Sequence, residues 1–213
     1  MTPLLIAHAG GNSPEALARA SAAADVVEAD VHLFRGRLEV RHARTIGPVP
    51  ILWERWHLLP RDTPRVALED VLAAAGPDVD LMLDLKGHDP RLPGAVLAAA
   101  AERIGAGGLI VSARAWRSAD RLLGTPGVRT LHSVGNARQL RALVRRYRPG
   151  ALEGVSVHRR LLTPATASAL RERAPWLWTW PVQDPADART LAGWGVTGLI
   201  SDAPERLRRS VAH

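Results

Sequence analysis

Short, nearly continuous apolar runs alternate along the chain with longer stretches in which apolar residues recur every three or four positions. The first kind predicts strands buried on both faces, at 4–8, 26–31, 81–85, 108–112, 128–132, 154–158, 176–180 and 198–201. The second predicts helices over 14–24, 68–75, 92–104, 116–123, 137–147, 164–174 and 186–194. Ser13 before Pro14 and Thr163 before Pro164 each place a capping oxygen ahead of a proline at the first helical position. Gly76, Gly105, Gly124, Gly195 and the Gly107-Gly108 pair stand where helices would end.

Strand and helix in strict alternation imply a parallel sheet covered by helices, and eight such units imply a closed (β/α)8 TIM barrel. At 213 residues it would be a compact one, a single domain over 1–213 with short loops. One region breaks the alternation. Residues 35–42 read as a turn and a short antiparallel return strand, and 44–65, rich in Pro and Trp, reads as an irregular excursion.

The chain holds no cysteine, so disulfides and thiolate chemistry are excluded and any metal would be held by oxygen or imidazole donors. The formal charge of +7 comes from arginines scattered along helices, with neither a reading module nor an aromatic stacking platform, so no nucleic-acid partner is expected. No run reaches the length of a membrane span, and no signal segment precedes the first strand, which points to a cytoplasmic protein.

Of 28 basic residues, 27 are arginine and the remaining one is Lys86. A lysine ammonium is a compact point charge, not interchangeable with a planar guanidinium, so its retention at one position marks a candidate site. Lys86 shares a strand end with Asp84, as Glu28 does with Asp30, and residues two apart on a strand face the same way. His8 ends the first strand, and His42 could return to the same rim through the hairpin. Three carboxylates without thiolates suit a hard cation, Mg²⁺ or Ca²⁺, and two imidazoles can serve as acid and base. The alternative is a structural network, but three buried carboxylates against one lysine leave negative charge that is costly without a further cation. Trp180 ends another strand, where an indole either walls the pocket or packs in the core; His132 and His158 end strands five and six with the same ambiguity.

These residues fall into an order that resembles the glycerophosphodiester phosphodiesterase family. His8-Ala9-Gly10, Pro14-Glu15, Glu28-Ala29-Asp30-Val31 and His42 look like that family's His-Arg-Gly, Pro-Glu-Asn-Thr, Glu-x-Asp and His-Asp elements. Asp84-Leu85-Lys86 is similar to its Glu-x-Lys, the stretch from Thr179 to Asp184 to its Trp-Thr-Val-Asn strand end, and the stretch from Gly195 to Asp202 to its closing Gly-Val-Asp-Gly-Ile-x-Thr-Asp. The resemblance implies a barrel that hydrolyses small glycerophosphodiesters to sn-glycerol 3-phosphate and an alcohol. Glu28, Asp30 and Asp84 would hold the cation, His8 and His42 would act as acid and base, and Lys86 would bind a phosphate oxygen. Departures are Ala9 for the arginine after the first histidine, Ala16-Leu17 for the Asn-Thr after Pro14-Glu15, Ala43 for the aspartate after the second histidine, Asp84 for Glu and Gln183 for Asn. Arg44 is the candidate to supply the missing guanidinium. A lysophospholipase D-type activity on lipid phosphodiesters and a non-catalytic phosphodiester-binding barrel stand as alternatives.

Overall fold

A computed structural model describes every residue except 1, 47, 48, 55, 61, 62, 77, 107, 212 and 213. In chain order the strands are β1 (Leu4–Ala7), β2 (Val26–Phe34), β3 (Arg37–Val40), β4 (Arg44–Ile46), β5 (Val49–Glu54), β6 (His57–Leu58), β7 (Val66–Ala67), β8 (Leu81–Lys86), β9 (Leu109–Ala113), β10 (Val128–Val134), β11 (Gly154–His158), β12 (Trp176–Trp180) and β13 (Gly198–Ser201). The helices are α1 (Pro14–Ser21), α2 (Leu68–Ala74), α3 (Leu92–Ala99), α4 (Ala101–Ala106), α5 (Trp116–Leu122), α6 (Ala137–Arg146), α7 (Pro164–Arg171), α8 (Pro185–Gly193) and α9 (Pro204–Val211).

The eight predicted strands all form, and they close on themselves. They pair in parallel in the order β1-β13-β12-β11-β10-β9-β8-β2, and β1 pairs with β2 to complete a TIM barrel. Helices cover its outer face, where Val31, Leu83, Val111, Val155 and Leu199 are wholly buried against them. Ile6, Val26, Met82, Ile110, Leu131, Trp178 and Ile200 fill the barrel interior, so its centre is a packed core. Trp178 is fully buried, and its ring takes the space opposite Gly198, where a Cβ would stand 2.5 Å from the indole. Gly198→Ala is therefore expected to overpack the barrel and cost about 1–3 kcal/mol in chemical denaturation; an unchanged midpoint would show that the indole can move aside.

Both prolines at helix starts carry the predicted caps: Ser13 Oγ accepts from the Ala16 N–H, and Thr163 forms a reciprocal capping box with Thr166. The hairpin forms as β2 and β3 in antiparallel pairing.

Four expectations are corrected. The stretch 44–65 is not wholly irregular: β4, β5 and β6 make a separate three-stranded sheet, strands of two to six residues too short to show alternation among prolines and tryptophans. The helix expected over 92–104 is two helices, broken at Ala100, whose ψ of 13° leaves the helical range, and Gly105 lies inside α4 instead of ending a helix. Gly107 lies outside the described residues. A last helix, α9, was not expected, because among charged residues only Leu207 and Val211, one turn apart, signal its buried face. Leu207 and Val211 pack into the same core cluster as Leu5 and Leu199.

Candidate active site

The parallel strands bring eight C-terminal ends to one rim, and a cavity of about 960 Å³ opens there. Met82 and Ile200, from the interior core, form part of its floor. Glu28 and Asp30 come from β2 and Asp84 and Lys86 from β8, and the parallel register sets Asp30 beside Asp84. Carboxylate oxygens of Glu28, Asp30 and Asp84 lie within 4.8 Å of one another. Glu28 and Asp84 line the cavity, whereas Asp30 is completely buried beneath it.

The cluster is electrically tense. Burial, and then the neighbouring Asp30 charge, push the Glu28 carboxyl well above its ordinary range, against the pull of Lys86. For Asp30 burial acts in the same upward direction, but Lys86 and the Asn12 amide outweigh it and hold this carboxyl below its ordinary value. The Lys86 ammonium sits 2.6 Å from Asp30 Oδ1 and also contacts Asp84. Burial would lower its pKa, yet the three carboxylates keep it raised and the ammonium charged. One cation thus stands against three carboxyl groups, and this oxygen-only donor set fits a second, hard cation.

The loop after β1 braces the cluster. Asn12 bonds Asp30 twice, its Nδ2 donating to Oδ2 at 2.9 Å and its Oδ1 accepting from the Asp30 N–H at 2.8 Å. Ala9 adopts a left-handed backbone with φ of 51°, and its N–H donates to Glu28 Oε2 at 2.5 Å. Position 9 thus serves the cluster through its backbone. Gly11 donates its N–H to the Glu28 carbonyl, and a Cβ there would meet Ala29 at 2.9 Å.

His8 and His42 flank the mouth, with ring centres 6.2 Å apart and planes nearly perpendicular. Each is steered by a carboxylate through Nδ1: His8 by Asp202 at 2.7 Å and His42 by Glu54 at 3.0 Å. An ionised carboxylate only accepts, so both Nδ1 atoms carry protons and both Nε2 atoms are left for other partners. Gln183 Nε2 donates to Asp202 Oδ2 at 2.6 Å, which gives this glutamine a definite task where the family pattern has Asn. His42 hangs between Arg41 and Ala43; the buried Arg41 guanidinium pairs with Glu39 at 2.8 Å and also donates to the Ala43 carbonyl. At position 43, too, the backbone does the holding.

Arg44 lines the cavity from β4, and Trp180 lines it from β12, half-buried, with its ring edge-on to His158. His158 also reaches the cavity, but His132 does not. His132 lies behind the sheet, wholly buried, with Nε2 2.9 Å from Asp120 Oδ1 and its ring 5.0 Å from that of Tyr147. Trp53 and Trp56 do not line the cavity; Trp56 is 93% exposed, so it neither covers the site nor buries its loop.

Asp202, Glu54 and His32 did not stand out as functional residues in the sequence. The partner of His8 is 194 residues away, a pairing only barrel closure reveals. His32 follows Asp30 on the inward face of β2 and lines the cavity, and burial, with the nearby Arg41 charge, drives its pKa down to about 3. That imidazole is neutral in all ordinary conditions, and its buried Nε2 meets no hydrogen-bond partner among the described residues.

Comparison with solved structures places this geometry. A phosphodiesterase from Oleispira antarctica, solved with the product sn-glycerol 3-phosphate, superposes with a TM-score of 0.75 at 17% identity, over 100% of this chain and 98% of that one. The chain has the fold of glycerophosphodiester phosphodiesterases. Enzymes of that name from Parabacteroides distasonis (TM-score 0.74, 20% identity, 99% and 97% of the two chains) and Thermotoga maritima (0.73, 16%, 98% of each) superpose equally fully. No protein-family model matches the chain, and a search of curated protein sequences finds no match. Among the described residues, no helix is long and apolar enough to cross a membrane.

Proposed function

We propose that the chain is a metal-dependent phosphodiesterase that hydrolyses glycerophosphodiesters to sn-glycerol 3-phosphate and an alcohol. The observation that carries this reading is the convergence, on one rim, of a three-carboxylate cluster, one lysine and two carboxylate-steered histidines. Glu28, Asp30 and Asp84 would hold a divalent cation, Mg²⁺ or Ca²⁺. When bound, the cation supplies electrostatic stabilisation of charge on the phosphoryl oxygens.

The chain's own residues do the rest. Lys86 reaches a phosphate oxygen from beside the cluster, and Arg44 offers a guanidinium from the neighbouring sheet in place of the side chain absent at Ala9. One histidine takes a proton at Nε2 from the attacking hydroxyl, while the other gives a proton at Nε2 to the leaving oxygen. Asp202 and Glu54 keep both rings turned for that exchange and stabilise whichever becomes an imidazolium. The likeness to a barrel solved with sn-glycerol 3-phosphate supports a small phosphodiester as substrate. Trp53 and Leu58 on the sheet that follows His42, and Trp56 in the turn between β5 and β6, are exposed and favour a second reading in which the phosphodiester belongs to a lysophospholipid.

The test is product release from a panel running from glycerophosphocholine to lysophosphatidylcholine, with Mg²⁺, Ca²⁺ or EDTA. Metal-dependent release of sn-glycerol 3-phosphate from the water-soluble members is expected. Binding of a diester with no turnover under any metal would instead establish a phosphodiester-binding barrel.

A further inference from the structure

The half of the mouth formed by β9, β10, β11 and β12 carries polar groups that the hydrolysis above does not use. Arg114 follows β9 and lines the cavity. Its guanidinium lies 5.3 Å from the centre of the Trp180 ring and against Gly135, where a Cβ would come within 3.3 Å of its Cζ and Nη2. No carboxylate pairs with it among the described residues, although Arg41, Arg146, Arg159 and Arg208 all have such partners. Asp202, the carboxylate that lines the cavity past β13, is already engaged by His8 and Gln183.

The same strands bring three hydroxyls to this cavity. Ser112, Ser133 and Ser156 line the cavity from successive strands, each at most 6% exposed, and their side chains make no hydrogen bond among the described residues. His158 adds a donor: its Nδ1 accepts the Arg160 N–H at 3.2 Å, so its proton sits on Nε2. Burial and the surrounding Arg160, Arg159 and Arg114 charges hold this imidazole below its usual range, in the neutral form.

A lone guanidinium, a neutral N–H donor and free hydroxyls form a surface for a hydroxylated anion and repel a cation. We infer that this wall receives the leaving alcohol of the substrate, and that this alcohol is a polyol bearing a carboxylate or phosphate group, not a quaternary ammonium. Trp180, whose face would otherwise suit a cationic headgroup, is already occupied by Arg114. The inference rests on the hydrolase reading and adds to it the class of substrate.

The experiment compares kcat/KM for four diesters of sn-glycerol 3-phosphate whose second alcohol is glycerate, glycerol phosphate, glycerol or choline. The two anionic alcohols separate a carboxylate from a phosphate requirement. Either of them is expected to exceed choline by about 10-fold or more. Arg114→Met should lose about 10-fold more on that anionic diester than on the glycerol diester, and Arg114→Lys should recover part of the difference. Equal losses on all four, or a wild-type preference for choline, overturns the inference. If none of the four is hydrolysed, the hydrolase reading fails by itself and calorimetric titration with the same diesters decides the subsite. A Kd order favouring an anionic alcohol, flattened by Arg114→Met, then supports it; no order overturns it.

Discussion

Glu28→Gln is expected to make the metal-free protein more stable and the enzyme nearly inert. Glutamine keeps an oxygen to accept the Ala9 N–H while removing one of three charges packed within 4.8 Å. The pH dependence gives the sign. The folded pKa of Glu28 is raised above its ordinary 4.5, so its contribution to stability is intact below 4.5 and is lost as pH rises through the folded value. Asp30 runs the other way: its folded pKa is lowered from 3.8, so its contribution is present above that value and disappears in stronger acid. Without metal, the variant should therefore melt about 5 °C higher than wild type at pH 8, a gain of 1–2 kcal/mol, and the gap should close near pH 4. Added Ca²⁺ should raise the wild-type midpoint and shift the variant little, while kcat/KM falls by roughly 100-fold or more. A variant that melts lower than wild type at pH 8 would mean that Lys86 alone balances the cluster.

His8→Ala and His42→Ala should each lower kcat by about 10²- to 10⁴-fold while leaving the melting midpoint nearly where it was. Both side chains are well exposed, at 40% and 47%, so little packing is lost. A diester with p-nitrophenol as the leaving group sorts their roles. That leaving group departs without a proton, so the variant lacking the general acid should recover most of its rate and the variant lacking the base should not. Equal recovery in both would break the division of labour; no loss in either would remove the histidines from the reaction altogether.

The barrel was legible because its signal is repeated: eight apolar runs separated by amphipathic stretches agree on one architecture, and no single run has to be decisive. The cluster was legible for a related reason. Glu28 with Asp30 on β2, and Asp84 with Lys86 on β8, lie two apart, so local strand geometry already turns each pair to one face. Partners brought together only by closure left no such trace. Asp202 meets His8 across 194 residues, and Glu54 meets His42 across a sheet whose strands are too short to show a period. Ser112, Ser133 and Ser156 were hidden differently: each is a polar position in a largely apolar strand, and only the register shows all three facing the cavity that Arg114 also lines. Ala9 and Ala43 read as losses by residue type, whereas their backbone N–H and carbonyl groups still serve the cluster and the His42 loop.

Among the described residues, the sheet made by β4, β5 and β6 pairs with no barrel strand, yet it supplies Arg44 and the Glu54 that steers His42. His8 and its partner Asp202 both stand on the barrel rim, whereas His42 leaves the barrel-paired β3 and takes its steering carboxylate from the inserted panel. The turn of the second imidazole therefore depends on the panel as well as on the cylinder. Lengthening, shortening or exchanging the panel would retune the reach of this site toward larger or smaller substrates while every carboxylate of the cluster stayed in place. Divergence in such a protein can therefore concentrate in one stretch of some twenty residues and leave the remaining architecture untouched.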